Sequence, residues 1–532
     1  MTDTMAPEGA APQEARVIRG ARVYDHDGEV HLPPVADILI AGGRIAAVGP
    51  DIAARLADGQ TVEGVAPAEV VETIEAGGHL ALPGFFNAHY HSHDVLLKGS
   101  FETIPLEFWV LNALPPSYPR RRPEELRART LLGALECLKS GMTTVQDMVT
   151  VFPFDPGDVD VILDAYDEIG IRAVIALQVA DIPGLRSIPY WEELIPADLR
   201  AGLTGAVEPF GPGVELLDVV EEAWRSRRDR PGRIHWGLGP SSPERCSERF
   251  LEQLADLSAR GALPVYSHLY ESKAMTLVAR MHHQKDGGSL IRLLARTGLL
   301  GPRLSLAHSV WLVPEEIDMI AEAGANVVLN PVGNLKTRSG IAPITDFVAR
   351  GVNVALGSDN CSCSDSQNMF QAMKMFCSLA GVMDPSPGRP FAVDALRAAT
   401  LAGARTAGLE GSLGALRPGM AADISLLSLD DPSYVPLNSV ARQTVFTECS
   451  RSVRTVIVAG EVIFRDGRST RIDEAALYEE VAGLMEVVRR DRDAVSARIK
   501  QMEPWLLEAN RRIWEGDVGT NRYVAGAHRH GC

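Results

Sequence analysis

The chain predicts an α/β protein: a (β/α)8 barrel of the TIM type with a small composite β-sandwich domain built from both ends of the sequence. Three observations predict it. Eight short, apolar, β-rich runs recur through the middle of the chain, separated by stretches of helical periodicity or long connections. Short alternating segments punctuated by Gly and Asp flank that region on both sides. At 532 residues the chain exceeds one ordinary core but suits a large barrel with a companion module.

In chain order, residues 1–14 lack the basic start and apolar segment of a secretory signal and read as a disordered lead-in. From 15 to 82, ARVIRGARVYD and ADILIAGGRIAAVG carry strand and hairpin signals and form the first part of the sandwich. The barrel is expected over 83–410. Its strand runs are PGFFNAHYH, GMTTVQDMV, IRAVIALQV, RIHWGLGPSS, LPVYSHLYE, LSLAHSV, ANVVLNP and VNVALGSD. Residues 411–472, with GMAADISLLSLD and the hairpin VRTVIVAGEVIFRDGR, repeat the style of the first segment and supply the second part of the sandwich. Residues 473–532 form a C-terminal helical segment and a tail, in which His528 and His530 read as solvated terminal residues.

Composition narrows the function. With 69 acidic against 52 basic residues, the net charge of −17 argues against nucleic acid or an anionic membrane surface as partner. Charged residues interrupt every apolar run before it reaches the 18 or so residues of a membrane span. Seven scattered cysteines suit a reducing, cytoplasmic setting without a disulfide framework. Cys361 and Cys363 form a CxC with no second cysteine pair, and a small-residue loop is the preferred reading.

Polar groups that bind metals recur at the ends of the predicted strands. His89 and His91 lie two apart on the first strand and so share a face; His268 and Glu271 end the fifth, His308 the sixth and Asp359 the eighth. Strand C-termini are where a barrel of this type carries its chemistry. Imidazoles with one carboxylate suit Zn²⁺ or Fe²⁺ better than Ca²⁺ or Mg²⁺. Such an ion lowers the pKa of a bound water from 15.7 toward about 7, which points to hydrolysis. The plain alternative for Asp359 is a helix cap.

PGFFNAHYH, SGMTTVQDM, HLYE, LAHSVWL, NPVGNLKTRSGIAP and ALGSDN, in this order, resemble the amidohydrolase superfamily. The likeness is greatest to aminohydrolases acting on guanine and S-adenosylhomocysteine and to chlorotriazine-degrading hydrolases. The resemblance implies that His89, His91, His268 and Asp359 hold one divalent metal, with Zn²⁺ preferred to Fe²⁺. It makes His308 the contact to the metal-bound water or the oxyanion and Glu271 the proton shuttle. Members with two metals bridge them through a carboxylated lysine on the fourth strand; RIHWGLGPSSPERCS has none, so a single ion is expected.

The expected reaction is attack of metal-bound hydroxide on the C–N carbon of a small N-heterocycle, with release of ammonia or an amine. An amidase acting on acyclic or cyclic amides, and a catalytically silent scaffold, are the alternatives. The resemblance also suggests a homo-oligomer. His93, Trp109, Ser241 and Trp311 are the candidate substrate contacts, His93 equally as a partner behind the ligands. GPSSPERCS replaces a histidine motif common in heterocycle deaminases by Ser241 and Ser242, and Gly333 stands where the family often has serine.

Overall fold

The computed structural model describes residues 14–200, 215–230, 232–386 and 388–523. The lead-in, apart from Glu14, and the tail with His528 and His530 lie outside the described residues. Strands β1 (Ala15–Val23), β2 (Val35–Ala41), β3 (Arg44–Gly49), β4 (Val70–Glu75) and β5 (His79–Pro83) come from the start of the chain. The barrel follows with β6 (Phe85–His91), β7 (Met142–Val149), β8 (Arg172–Val179), β9 (Ile234–Pro240), β10 (Val265–Leu269), β11 (Leu304–His308), β12 (Asn326–Leu329) and β13 (Asn353–Leu356). A two-residue strand, β14 (Asp359–Asn360), completes it. The last group is β15 (Ile424–Ser428), β16 (Val453–Val458), β17 (Glu461–Arg465) and β18 (Arg468–Ser469).

Strands β6 to β13 pair in parallel, each with the next. The eighth barrel strand is interrupted at Gly357–Ser358, and its continuation β14 pairs with β6, Asp359 opposite Tyr90 and Asn360 opposite His91. The sheet thereby closes on itself. Glycine is required at the break: a Cβ on residue 357 would fall 2.4 Å from Asn330 Oδ1 and 2.7 Å from the His89 carbonyl oxygen. Every residue of β6 and β7 is buried, as expected for strands covered on both faces.

The chain ends meet in one continuous nine-stranded sheet, ordered β18-β17-β16-β15-β5-β1-β2-β3 with β4 added to β1. The two ends therefore do combine, and their hydrogen bonds form one continuous sheet that branches at β1. Gly20, at φ 75°, divides β1, so that its first half pairs with β4 and its second with β5. Both faces of this sheet are apolar. Ile18, Ile38, Ile40 and Ile424 share one cluster, while Val17 and Leu39 pack in another against Ile52, Leu56, Val62 and Val65. The helix Ile52–Ala57 thus contributes cover to one face.

The helix Glu474–Lys500 buries Leu477, Leu484, Val488, Val495 and Ile499 at helical spacing and packs along the helix Pro123–Lys139. No helix of the described residues is long and apolar enough to cross a membrane.

Candidate active site

β6 projects His89 and His91 to the same side, with their Nε2 atoms 3.2 Å apart. His268, on β10, brings its Nε2 within 3.3 Å of that of His91. Asp359 enters from the eighth strand with Oδ1 3.6 Å from both His89 Nε2 and His91 Nε2. His308 joins His89 and Asp359 in a second group whose ligand atoms lie within 4.8 Å of one another. Non-glycine residues in the left-handed region cluster here: Tyr270 (φ 44°), His308 (φ 69°), Ser309 (φ 49°) and Asp359 (φ 65°). Such conformations cost of order 1–3 kcal/mol each and persist where the surroundings over-determine them.

Hydrogen bonds at the far nitrogens decide where the lone pairs point. His91 Nδ1–H donates to the Met148 carbonyl at 2.7 Å, His268 Nδ1–H to the Ser241 carbonyl at 2.5 Å and His308 Nδ1–H to Asn334 Oδ1 at 2.7 Å. Each neutral ring so held turns an unprotonated Nε2 toward the centre. Burial, the largest cause in each case, keeps His268 and His308 near a pKa of about 4 and drives His89 and His91 well below the ordinary histidine value. The imidazoles are therefore neutral at pH 7, the form that ligates metals.

The arrangement fits a metal ion on its own terms. The bare Nε2 lone pairs of His91 and His268, 3.3 Å apart, repel unless a cation lies between them. Two nitrogens on a tetrahedral zinc at ~2.05 Å stand ~3.3 Å apart. His308 Nε2 is buried and has no hydrogen-bond partner. His89, His91, His268 and Asp359 would hold the ion, with His308 at its edge.

Asp359 does not cap the following helix Cys361–Ser364; Asp94 accepts the backbone N–H groups of Cys361 and Ser362 instead. The Cys363 thiol donates to Asp359 Oδ2 at 3.3 Å, which gives the CxC a supporting role. Gly333 belongs to the same packing, since a Cβ there would come within 2.8 Å of Asp359 Oδ2. Glu271 Oε2 lies 3.4 Å from His308 Nε2. Burial first, then Asp359, Glu107 and Glu244, pushes its carboxyl well above the usual range. Burial also raises Asp359.

A cavity opens against this centre, with about 720 Å³ of empty space that includes its solvent-filled mouth. His91, His268, Glu271 and Asp359 form its floor, and Leu106, Val110, Leu114, Ile188 and Met275 are apolar wall. Of the predicted substrate contacts, Trp109 and Ser241 line it. The Trp109 indole is fixed by Ser362 Oγ at 2.9 Å, and Ser241 Oγ accepts from Gln178 Nε2 at 3.0 Å. Trp311 is placed elsewhere: the left-handed turn at His308–Ser309 redirects the chain, and its indole donates to the Ser339 carbonyl in the core. His93 Nδ1 accepts the Thr150 N–H, and Nε2 lies 3.2 Å from the side-chain amide of Asn360, so it stands behind a cavity residue. His235 sits at the other end of the barrel beside Arg172.

Sequence reasoning passed over Glu107, Gln178, Glu244, Arg245 and Asn360, all on the cavity wall. Glu107 lies two residues before Trp109, in the segment FETIPLEFW.

Known proteins agree with this architecture. The chain is 32% identical over 416 residues to a 5'-deoxyadenosine deaminase of Methanothermobacter thermautotrophicus, covering 78% of this chain and 89% of the relative. It is 32% identical over 469 residues to a 5-methylthioadenosine/S-adenosylhomocysteine deaminase of Nitratidesulfovibrio vulgaris, covering 87% and 96%. Among solved structures, an adenosine deaminase from Xanthomonas campestris with bound zinc superposes with a TM-score of 0.75 at 25% identity, over 91% of this chain and 98% of the other. The model of the amidohydrolase family matches residues 80–463, from the strand before His89 to the hairpin beyond Asp359, and the chain belongs to that family.

Proposed function

We propose that the protein is a metal-dependent aminohydrolase that exchanges the amino group of a small N-heterocycle for oxygen from water and releases ammonia. One observation carries this reading: three inward Nε2 atoms and Asp359 Oδ1 meet on the floor of the cavity, beside Glu271. Relatives named as deaminases support the reaction type, and the zinc in the Xanthomonas enzyme supports zinc as the ion, with iron(II) the alternative. An ion of this kind supplies Lewis acidity, lowering the pKa of a water from 15.7 toward about 7.

The side chains do the rest. His91, His268 and His308 are locked in one tautomer by Met148, Ser241 and Asn334, so they need no reorganisation during turnover. His308 Nε2 and Glu271 Oε2, 3.4 Å apart, stand side by side, so both can reach a substrate atom bound next to them. Burial raises the Glu271 carboxyl toward the range of a proton shuttle, and this group takes a proton from the incoming water and delivers one to the leaving nitrogen. The new C–O bond forms before the C–N bond breaks. The apolar wall and Trp109 receive the flat ring and keep bulk water away.

The test is a panel of amino-substituted purines, pyrimidines, pterins and triazines, assayed for ammonia with zinc-loaded protein. Ammonia from at least one ring system is expected. Carboxylate products without ammonia would make the protein an amidase, and absence of any turnover in a protein that retains no stoichiometric ion would make it a scaffold.

A further inference from the structure

Among the described residues, Arg245 is the single Arg or Lys side chain on the cavity wall, against the carboxyl groups of Glu107, Glu244, Glu271 and Asp359. It stands on the short helix Pro243–Arg245 directly after β9. Nη1 donates to Ser241 Oγ at 3.1 Å, and the buried Nε has no hydrogen-bond partner. Glu244 influences it through space, but the described residues give it no ion pair. The neighbour is incomplete in the opposite sense. Glu244 Oε1 accepts the Ser242 hydroxyl at 2.7 Å, while Oε2 is buried without a partner. Arg245 is half-buried, and its Nε–H, cut off from water and without a partner, is costly to leave unpaired unless a ligand completes the group.

A donor and an acceptor left open on adjacent residues have a chemical complement. A lactam edge supplies it, with a ring carbonyl oxygen to accept from the guanidinium and a ring N–H to donate to the carboxylate. An ionised carboxylate on the ligand suits the position less well, because four acidic side chains face the same space.

We propose that Arg245, seconded by Glu244, is the specificity-determining residue of this site and reads the lactam edge of the substrate ring. The substrate class is then an amino-substituted oxo-heterocycle. Adenine-type rings, which carry an amino group and no ring carbonyl, leave Arg245 unsatisfied and are poor substrates. The inference rests on the heterocycle reading of the cavity, and it separates this chain from the deoxyadenosine-type activity named for its relatives.

Two pairs of bases test it, each differing by one ring carbonyl: isoguanine against adenine, and guanine against 2-aminopurine. Binding is measured by titration calorimetry on zinc-loaded Glu271→Gln protein, where turnover is suppressed, and ammonia release on the zinc-loaded wild type. In at least one pair the oxo base binds roughly ten- to hundredfold tighter. Adding Arg245→Met brings the pair to within about threefold, and Arg245→Lys, which keeps the charge without the planar fork, falls between. Unchanged circular dichroism and thermal midpoint show that these variants fold. Equal binding within both pairs, no binding by any of the four bases, or a preference that survives Arg245→Met overturns the proposal. Ammonia released from adenine as fast as from isoguanine sinks it while leaving the aminohydrolase reading intact. A lactam preference without ammonia does the reverse.

Discussion

Asn334 shows how much of the site depends on side chains that touch no substrate. Its Oδ1 fixes His308 with Nδ1 protonated, and Nε2 is thereby left bare toward the centre. Replacing it by alanine frees the ring to change tautomer. We expect Asn334→Ala to lower kcat about 10–100-fold with the bound ion retained, as read by steady-state kinetics and metal analysis. Glu271→Gln keeps the shape and removes the proton, so kcat should fall about 10²–10⁴-fold while KM changes little. A parallel fall in ion content would instead make Glu271 a ligand. At this scale the HxH pair was legible because the two-residue period of a strand fixes which side chains share a face. Arg245 was not, because a guanidinium with one N–H left unpaired is defined by what fails to surround it, and only the assembled wall reveals that.

The elements were more legible than their connections. Each of the eight apolar runs became a barrel strand, since burial on both faces leaves an uninterrupted apolar signature. Alternation in the flanking segments identified strands but not their neighbours, so the change of partner from β4 to β5 at Gly20 was not legible. Trp311 was misjudged for a related reason: counting three residues beyond His308 assumes a straight path, and the backbone turns there.

One link between elements invites measurement. Arg172 on β8 donates from Nε and Nη2 to both oxygens of Asp423, at 3.0 Å each, and so ties the barrel to the composite sheet. Arg172→Met strands a buried carboxylate, and denaturant unfolding should show a loss of about 3–5 kcal/mol. His235, beside Arg172, is held down to a pKa of about 4 by burial and then by that guanidinium. The unfolded chain binds this proton near 6.5 and the folded chain only near 4. Its contribution is therefore complete above 6.5 and drains away as the pH falls through 4. His235→Gln should flatten the fall of thermal midpoint across that window; an unaltered slope would contradict the assignment.

For the molecule as a whole, an ion joining β6, β10 and the eighth strand ties together distant parts of the ring. A ligand bound at a thousand times its Kd contributes about 4 kcal/mol to folding. Chelation should abolish ammonia release and lower the thermal midpoint by about 5 °C, with zinc restoring both. Retention of full activity after verified ion removal would refute the metal reading.

The sheet shared by the two chain ends also sets an order of assembly. Ala81 on β5 pairs with Leu426 on β15, and every barrel strand lies between them in sequence. On the ribosome, β5 must wait with one flank uncovered until translation has passed Ser428. An open flank of this kind recruits stray strands, so the interval before β15 emerges is when a nascent chain most needs a chaperone, and a message cut short before the codon for Ile424 would leave that flank open for good.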